Sequence, residues 1–142
     1  FSLKEAVEYM AKIKKPVTVV GTSRGTLRAA YGIDDGARPD RLVLTSGFLS
    51  PESGDREHVM RILGKPDLLP PTLIVHHRWD LCKRTLPGGV DPFIAWSKGR
   101  AQAKWLTGGE TSGGDPCGNR SYHGFNGIDG QVVAAVSAFA GK

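Results

Sequence analysis

The sequence predicts an α/β protein: a mostly parallel sheet of about four strands with helices on both faces. Three observations predict it. Short runs of strand-forming residues alternate with segments of helical periodicity. Residues 17–20 are Val-Thr-Val-Val, β-formers without polar alternation, the pattern of a strand buried on both faces. That run enters Gly21-Thr22-Ser23-Arg24-Gly25, a sharp turn with a helical segment behind it.

Taken in order, Ser2-Leu3-Lys4-Glu5 has the form of a capping box, and Leu3, Ala6, Val7, Met10, Ala11 and Ile13 recur at helical spacing. Residues 2–14 therefore read as a helix with one buried stripe. Pro16 ends the connection to the first strand. The helix behind Ser23 covers residues 27–31 and fades near Gly32, and residues 34–39 form a turn. Residues 41–46 are the second strand, 47–54 a loop, 56–63 a short helix and 66–71 irregular. Residues 72–77 are the third strand, ending at Arg78-Trp79-Asp80. A helix follows over 91–99, with Phe93, Ile94 and Trp96 as core candidates, then a weaker fourth strand over 103–107. The Gly-rich loop 108–124 carries Cys117 and His123. Asp129 is placed to cap a last helix whose apolar stripe is Val132, Val133, Val136 and Phe139. There is no internal repeat and no low-complexity segment.

A chain of 142 residues is the size of one domain, and 39% hydrophobic residues in periodic segments suit a globular, soluble protein. No apolar run approaches the roughly 20 residues that span a bilayer. No charged-then-apolar leader opens the chain; it starts on Phe1 and reads as a mature, processed or truncated chain. The formal charge is +5, but the lysines and arginines are scattered, which favours a solvated surface over a nucleic-acid site. The four histidines and two cysteines lack the spacings of a zinc site, and no cofactor is expected.

In parallel sheets ligands bind beyond the carboxyl ends of the strands. Ser23 follows the first strand, Asp80 the third, and His123 the fourth, in the chain order Ser, Asp, His. A serine hydroxyl needs a base within hydrogen-bond reach to act as a nucleophile. His123 suits that role, and Asp80 suits the role of fixing the imidazole tautomer. The backbone N–H of Arg24 would provide half of an oxyanion hole. Each residue also has a bland reading: Asp80 as a turn cap, His123 as a solvated loop residue. His76 and His77 sit near Asp80 and read as core or supporting residues; His58 reads as lying on an exposed helix. Glu52 and Asp55 are the alternative acids after the second strand.

These residues resemble the α/β-hydrolase superfamily. The resemblance is carried by Gly21-Thr22-Ser23-Arg24-Gly25, by His76-His77-Arg78-Trp79-Asp80-Leu81-Cys82, by Asp115-Pro116-Cys117 and by Tyr122-His123-Gly124-Phe125. It looks most like the small, lidless, dienelactone-hydrolase-like members. It implies a serine hydrolase acting on an ester, thioester, lactone or related acyl bond through a triad of Ser23, Asp80 and His123. It also implies that residues 1–142 match only the C-terminal half of that fold. The earlier strands and the loop that supplies the second oxyanion donor have no counterpart here, so the first strand would expose an edge and the isolated chain would be a poor catalyst. A non-catalytic binding domain on the same fold is the rival expectation.

In the resembling fold the loops holding Cys82 and Cys117 are adjacent. The resemblance thus implies either a Cys82–Cys117 disulfide or two reduced thiols. A bridge closing a loop of that size would be worth roughly 3–4 kcal/mol in the chain-entropy model and would imply a periplasmic or secreted protein. The segment between the second and third strands is too short for a helical lid, which suits a small or flexible acyl substrate. Trp79, Phe48 and Leu49 are candidates for the acyl side or for the core. Arg24 and Arg78 are candidates to hold a substrate carboxylate or to face solvent.

Overall fold

The computed structural model describes residues 2–141. Its sheet consists of β1 (Thr18–Thr22), β2 (Arg41–Thr45), β3 (Thr72–His77) and β4 (Ala101–Leu106). The strands lie in chain order and every pairing is parallel. Parallel neighbours need crossovers, and these are helical: α2 (Arg24–Asp34), α3 (Val59–Leu63) and α4 (Val90–Trp96). The helix α1 (Leu3–Ile13) precedes β1 and α5 (Asp129–Ala140) follows β4.

Strand alternation divides the core in two. Leu42, Leu44 and Ile74 point to one face, where they meet Ala29, Ala30 and Ile33 of α2, Val59 and Leu63 of α3, and Val90 and Phe93 of α4. Val43, Leu73, Val75 and Leu106 point to the other face, against Ile128, Val132, Val136 and Phe139. Helices therefore cover both faces. A fully buried side chain such as Phe93 or Ile74 contributes about 1.5–3 kcal/mol.

Several expectations need correcting. β1 is not buried on both faces: Val20 is 50% exposed. Val20 pairs with Val43 and shares its face, but α5 packs over β2, β3 and β4, and β1 lies at the sheet edge. The capping box of α1 is present, with Ser2 Oγ accepting from the Glu5 N–H and Glu5 Oε1 accepting from the Ser2 N–H, each at 3.1 Å. The stripe behind it is shorter than its periodicity suggested, because α1 lies against α2, with Leu3 beside Gly32, and buries only Val7; Met10 and Ile13 are exposed. Asp129 is the first residue of α5 and makes no side-chain cap; the N-cap position is Ile128. Val133 is exposed, since one residue is a 100° step away from the line of Val132, Val136 and Phe139. The helix expected over 91–99 ends at Trp96, and Lys98 and Gly99 both have positive φ.

Candidate active site

The strand-to-helix turn after β1 holds Ser23 at φ 54° and ψ −117°, a conformation that L-residues seldom adopt. Three bonds keep it there. The Ser23 N–H donates to the Thr45 carbonyl at 2.9 Å, extending the β1–β2 ladder by one residue. The Thr26 N–H donates to the Ser23 carbonyl at 3.0 Å. The Thr26 hydroxyl donates to that carbonyl at 2.6 Å and accepts from the Phe48 N–H at 3.1 Å. Gly21 and Gly25, which flank the turn, differ in their surroundings. A Cβ on Gly21 would lie 2.6 Å from the Gly25 carbonyl oxygen, whereas one on Gly25 would meet nothing within 4 Å.

Asp80 stands in a tight turn after β3, where its own N–H donates to the His77 carbonyl at 3.2 Å. It is 1% exposed. Its Oδ1 accepts from the Cys82 N–H at 2.9 Å. Its Oδ2 accepts from the Thr85 hydroxyl and from His123 Nδ1, each at 2.9 Å, with His76 Nε2 a further 3.4 Å contact. Burial alone would raise the Asp80 pKa. Hydrogen bonds from His123 and His76, the charge of His123 and the Cys82 N–H outweigh it and hold the pKa at about 2.

His123 lies in a single 3-10 turn, Tyr122–Gly124, ahead of α5. Its Nε2 is 3.0 Å from Ser23 Oγ, and its Nδ1 is 2.9 Å from Asp80 Oδ2. The ring is buried, and its backbone is anchored by Ser46, whose hydroxyl donates to the His123 carbonyl at 2.6 Å. Ser46 has φ 49°, so a second strained serine stands at the carboxyl end of the sheet.

The three residues expected to converge, Ser23, Asp80 and His123, are thus brought into one hydrogen-bonded chain. Arg24 opens α2, so its N–H belongs to the first turn, where no carbonyl four residues back lies within the helix. Its guanidinium lies 5.7 Å from the centre of the Phe48 ring. Cys82 and Cys117 form a disulfide that joins the Asp80 loop to the His123 loop. His76 and His77 support the site. His76 Nε2 donates to the Thr85 carbonyl at 2.7 Å, and His77 Nε2 donates to the Gly108 carbonyl at 2.8 Å. The His77 ring stacks on Tyr122, the neighbour of His123, at 4.7 Å between centroids.

Other candidates fall elsewhere. Glu52 is exposed, and Asp55 faces Arg84 at 3.9 Å. His58 is buried rather than on an exposed helix: it is the N-cap of α3, its Nδ1 accepting from the Arg61 N–H at 3.1 Å. Arg78 stacks over Trp105, 4.7 Å from the ring centre. Phe48 and Leu49 are core residues, while Trp79 is half exposed beside Asp80. Among the described residues no three His, Cys, Asp or Glu side chains are placed to hold a metal ion, and no helix is long and apolar enough to cross a membrane.

Thr85, Ser46 and Thr26 are the site residues the sequence reading missed. Ser46 had a signal, since it ends a parallel strand on the side where ligands bind. Thr85 had none: it sits five residues past Asp80 in an irregular loop and meets the acid only when that loop folds back. Comparison of the chain with protein-family models, with curated proteins and with solved structures gives no match in any of the three.

Proposed function

We propose that the protein is a serine hydrolase that cleaves an ester, thioester, lactone or related acyl bond through an acyl-enzyme on Ser23. The reading is carried by one observation, the continuous path from Ser23 Oγ through His123 to Asp80 with links of 3.0 and 2.9 Å. With Nδ1–H directed at a carboxylate, Nε2 of His123 presents a lone pair to the serine hydroxyl. As Ser23 Oγ attacks the substrate carbonyl carbon, its proton passes to Nε2, and the ionised Asp80 stabilises the imidazolium. The Arg24 N–H, in the first turn of α2, would donate to the developing oxyanion. Collapse of the tetrahedral intermediate breaks the bond to the leaving group, which takes the proton from Nε2. A water then repeats the sequence on the acyl-enzyme, releasing the acid and restoring Ser23. The half-exposed Trp79 supports a small acyl substrate with an apolar part, and the Cys82–Cys117 bridge supports residence in an oxidising compartment, periplasmic or extracellular.

Labelling with a fluorophosphonate probe tests the reading. The protein is expected to label at Ser23, and Ser23→Ala to abolish the label. Labelling that survives Ser23→Ala removes Ser23 as the nucleophile. A folded protein that never labels is instead a non-catalytic binding domain with this side-chain arrangement.

A further inference from the structure

Asp80 Oδ2, His123 Nδ1 and Thr85 Oγ1 form a closed triangle. Each of its three sides is 2.9 Å. The Thr85 side chain is fully buried, so water does not complete its hydrogen bonding. A hydroxyl has one proton to donate and two lone pairs to accept with. The carboxylate oxygen accepts only, so the Thr85 proton goes to Asp80 Oδ2. The Nδ1–H of His123 then meets two acceptors, the carboxylate and the Thr85 oxygen. The backbone of the same residue is also engaged. Its carbonyl accepts from His76 Nε2 at 2.7 Å, which fixes the His76 proton on Nε2 and brings it within 3.4 Å of Asp80 Oδ2. The other nitrogen of His76, Nδ1, is buried without a hydrogen-bond partner among the described residues, so the hydrogen bonding of this ring runs through Nε2. The Thr85 segment is in turn pinned from outside by an antiparallel bridge to Gly54 and by the Leu86 N–H donating to the Ser53 carbonyl at 3.0 Å.

We infer that Thr85 is a positioning residue of this site, a fourth member of the relay that orients the Asp80 carboxylate toward His123 with its hydroxyl and holds His76 on the same carboxylate with its carbonyl. The inference rests on the triad reading above. Because Thr85 acts on the acid and the base and not on the substrate, its loss acts on turnover rather than on substrate binding.

The test uses the full chain as wild type, Thr85→Val and Thr85→Ser, with a p-nitrophenyl ester as substrate and proton NMR of the imidazole N–H region. Thr85→Val keeps the side-chain shape and removes the hydroxyl. It is expected to lower kcat about 10- to 100-fold, the effect of one hydrogen bond to a charged group, with KM within about twofold. Thr85→Ser is expected to recover most of that loss. The His123 Nδ1–H resonance should move in Thr85→Val and return in Thr85→Ser. Wild-type kcat in Thr85→Val, or an unmoved Nδ1–H resonance, overturns the inference. The resonance decides even where no ester is turned over, so failure of the hydrolase reading is distinguishable from failure of this one. Should Thr85→Val not fold, the wild type decides through a nuclear Overhauser contact between the Thr85 hydroxyl proton and His123 Nδ1–H, whose absence overturns the inference.

Discussion

Gly21 and Gly25 flank Ser23 symmetrically in sequence and unequally in space. Only Gly21 is crowded, by the backbone of the turn that follows it, while Gly25 sits in the open first turn of α2. Gly21→Ala is therefore expected to destabilise the fold by about 1–3 kcal/mol, as overpacking does, and to weaken labelling of Ser23 by distorting the elbow. Gly25→Ala is expected to be neutral or stabilising by up to about 1 kcal/mol, because helical alanine loses less backbone entropy than glycine. Urea denaturation of both variants checks this; equal losses would mean that the turn is crowded on both sides. At this scale the sequence showed which residues converge and hid what holds them. Ser23, Asp80 and His123 are reactive types in a telling order at strand ends. Thr85 and Ser46 are ordinary residues whose role depends on loop paths that periodicity does not encode.

Among the elements, α3 is one whose start differs from the expected boundary, and a pH response follows from the difference. Residues 56–63 read as one short helix, but His58 is extended and caps a five-residue helix with a ring nitrogen. A histidine is a rare cap beside Ser, Thr, Asp and Asn, which is why the start was not legible. Burial first, and then the nearby Arg61 charge, lower the His58 pKa below its usual 6.5, with Glu52 and Asp55 opposing. A histidine with a depressed folded pKa contributes stability that is present above the unfolded value and is lost as pH falls below it. Protonating Nδ1 would also remove the acceptor that caps the Arg61 N–H. Stability should thus decline as pH falls below about 6.5, and His58→Asn, which keeps a capping oxygen without a titrating ring, should flatten that part of the profile. Thermal unfolding between pH 5 and 8 measures it, and identical profiles for the two proteins would rule the cap out as the cause. The strands were more legible than the helix ends, because runs such as residues 72–77 declare themselves by composition. What composition did not give was burial. Val20 has the residue type of an interior strand and lies on an edge, because burial depends on what packs against the sheet.

On the scale of the whole molecule, the Cys82–Cys117 bridge is the one covalent tie between distant segments, closing a sequence separation of 35. The chain-entropy model assigns a loop of that length roughly 4 kcal/mol, a large share of the stability of a single domain. The bridge also steadies the turn around Asp80, since the Cys82 N–H is one of the donors on that carboxylate. Reduction, or paired Cys82→Ser and Cys117→Ser substitution, should lower the thermal midpoint and slow Ser23 labelling together. An unchanged midpoint under reductant would show the bridge to be energetically idle.

The bond between Ser23 and His123 spans 100 residues of sequence. Neither partner reaches the other through local structure: the strands between them must stack in order before the imidazole arrives over the hydroxyl. A contact of this sequence separation forms only once the loop-closure entropy of the intervening chain has been met. If Ser23 is the nucleophile proposed above, the reactivity of its hydroxyl reports on assembly of the sheet. In a refolding experiment, the moment at which Ser23 becomes nucleophilic would mark assembly of the entire β1-to-β4 sheet, a time that no measure of helix content would report.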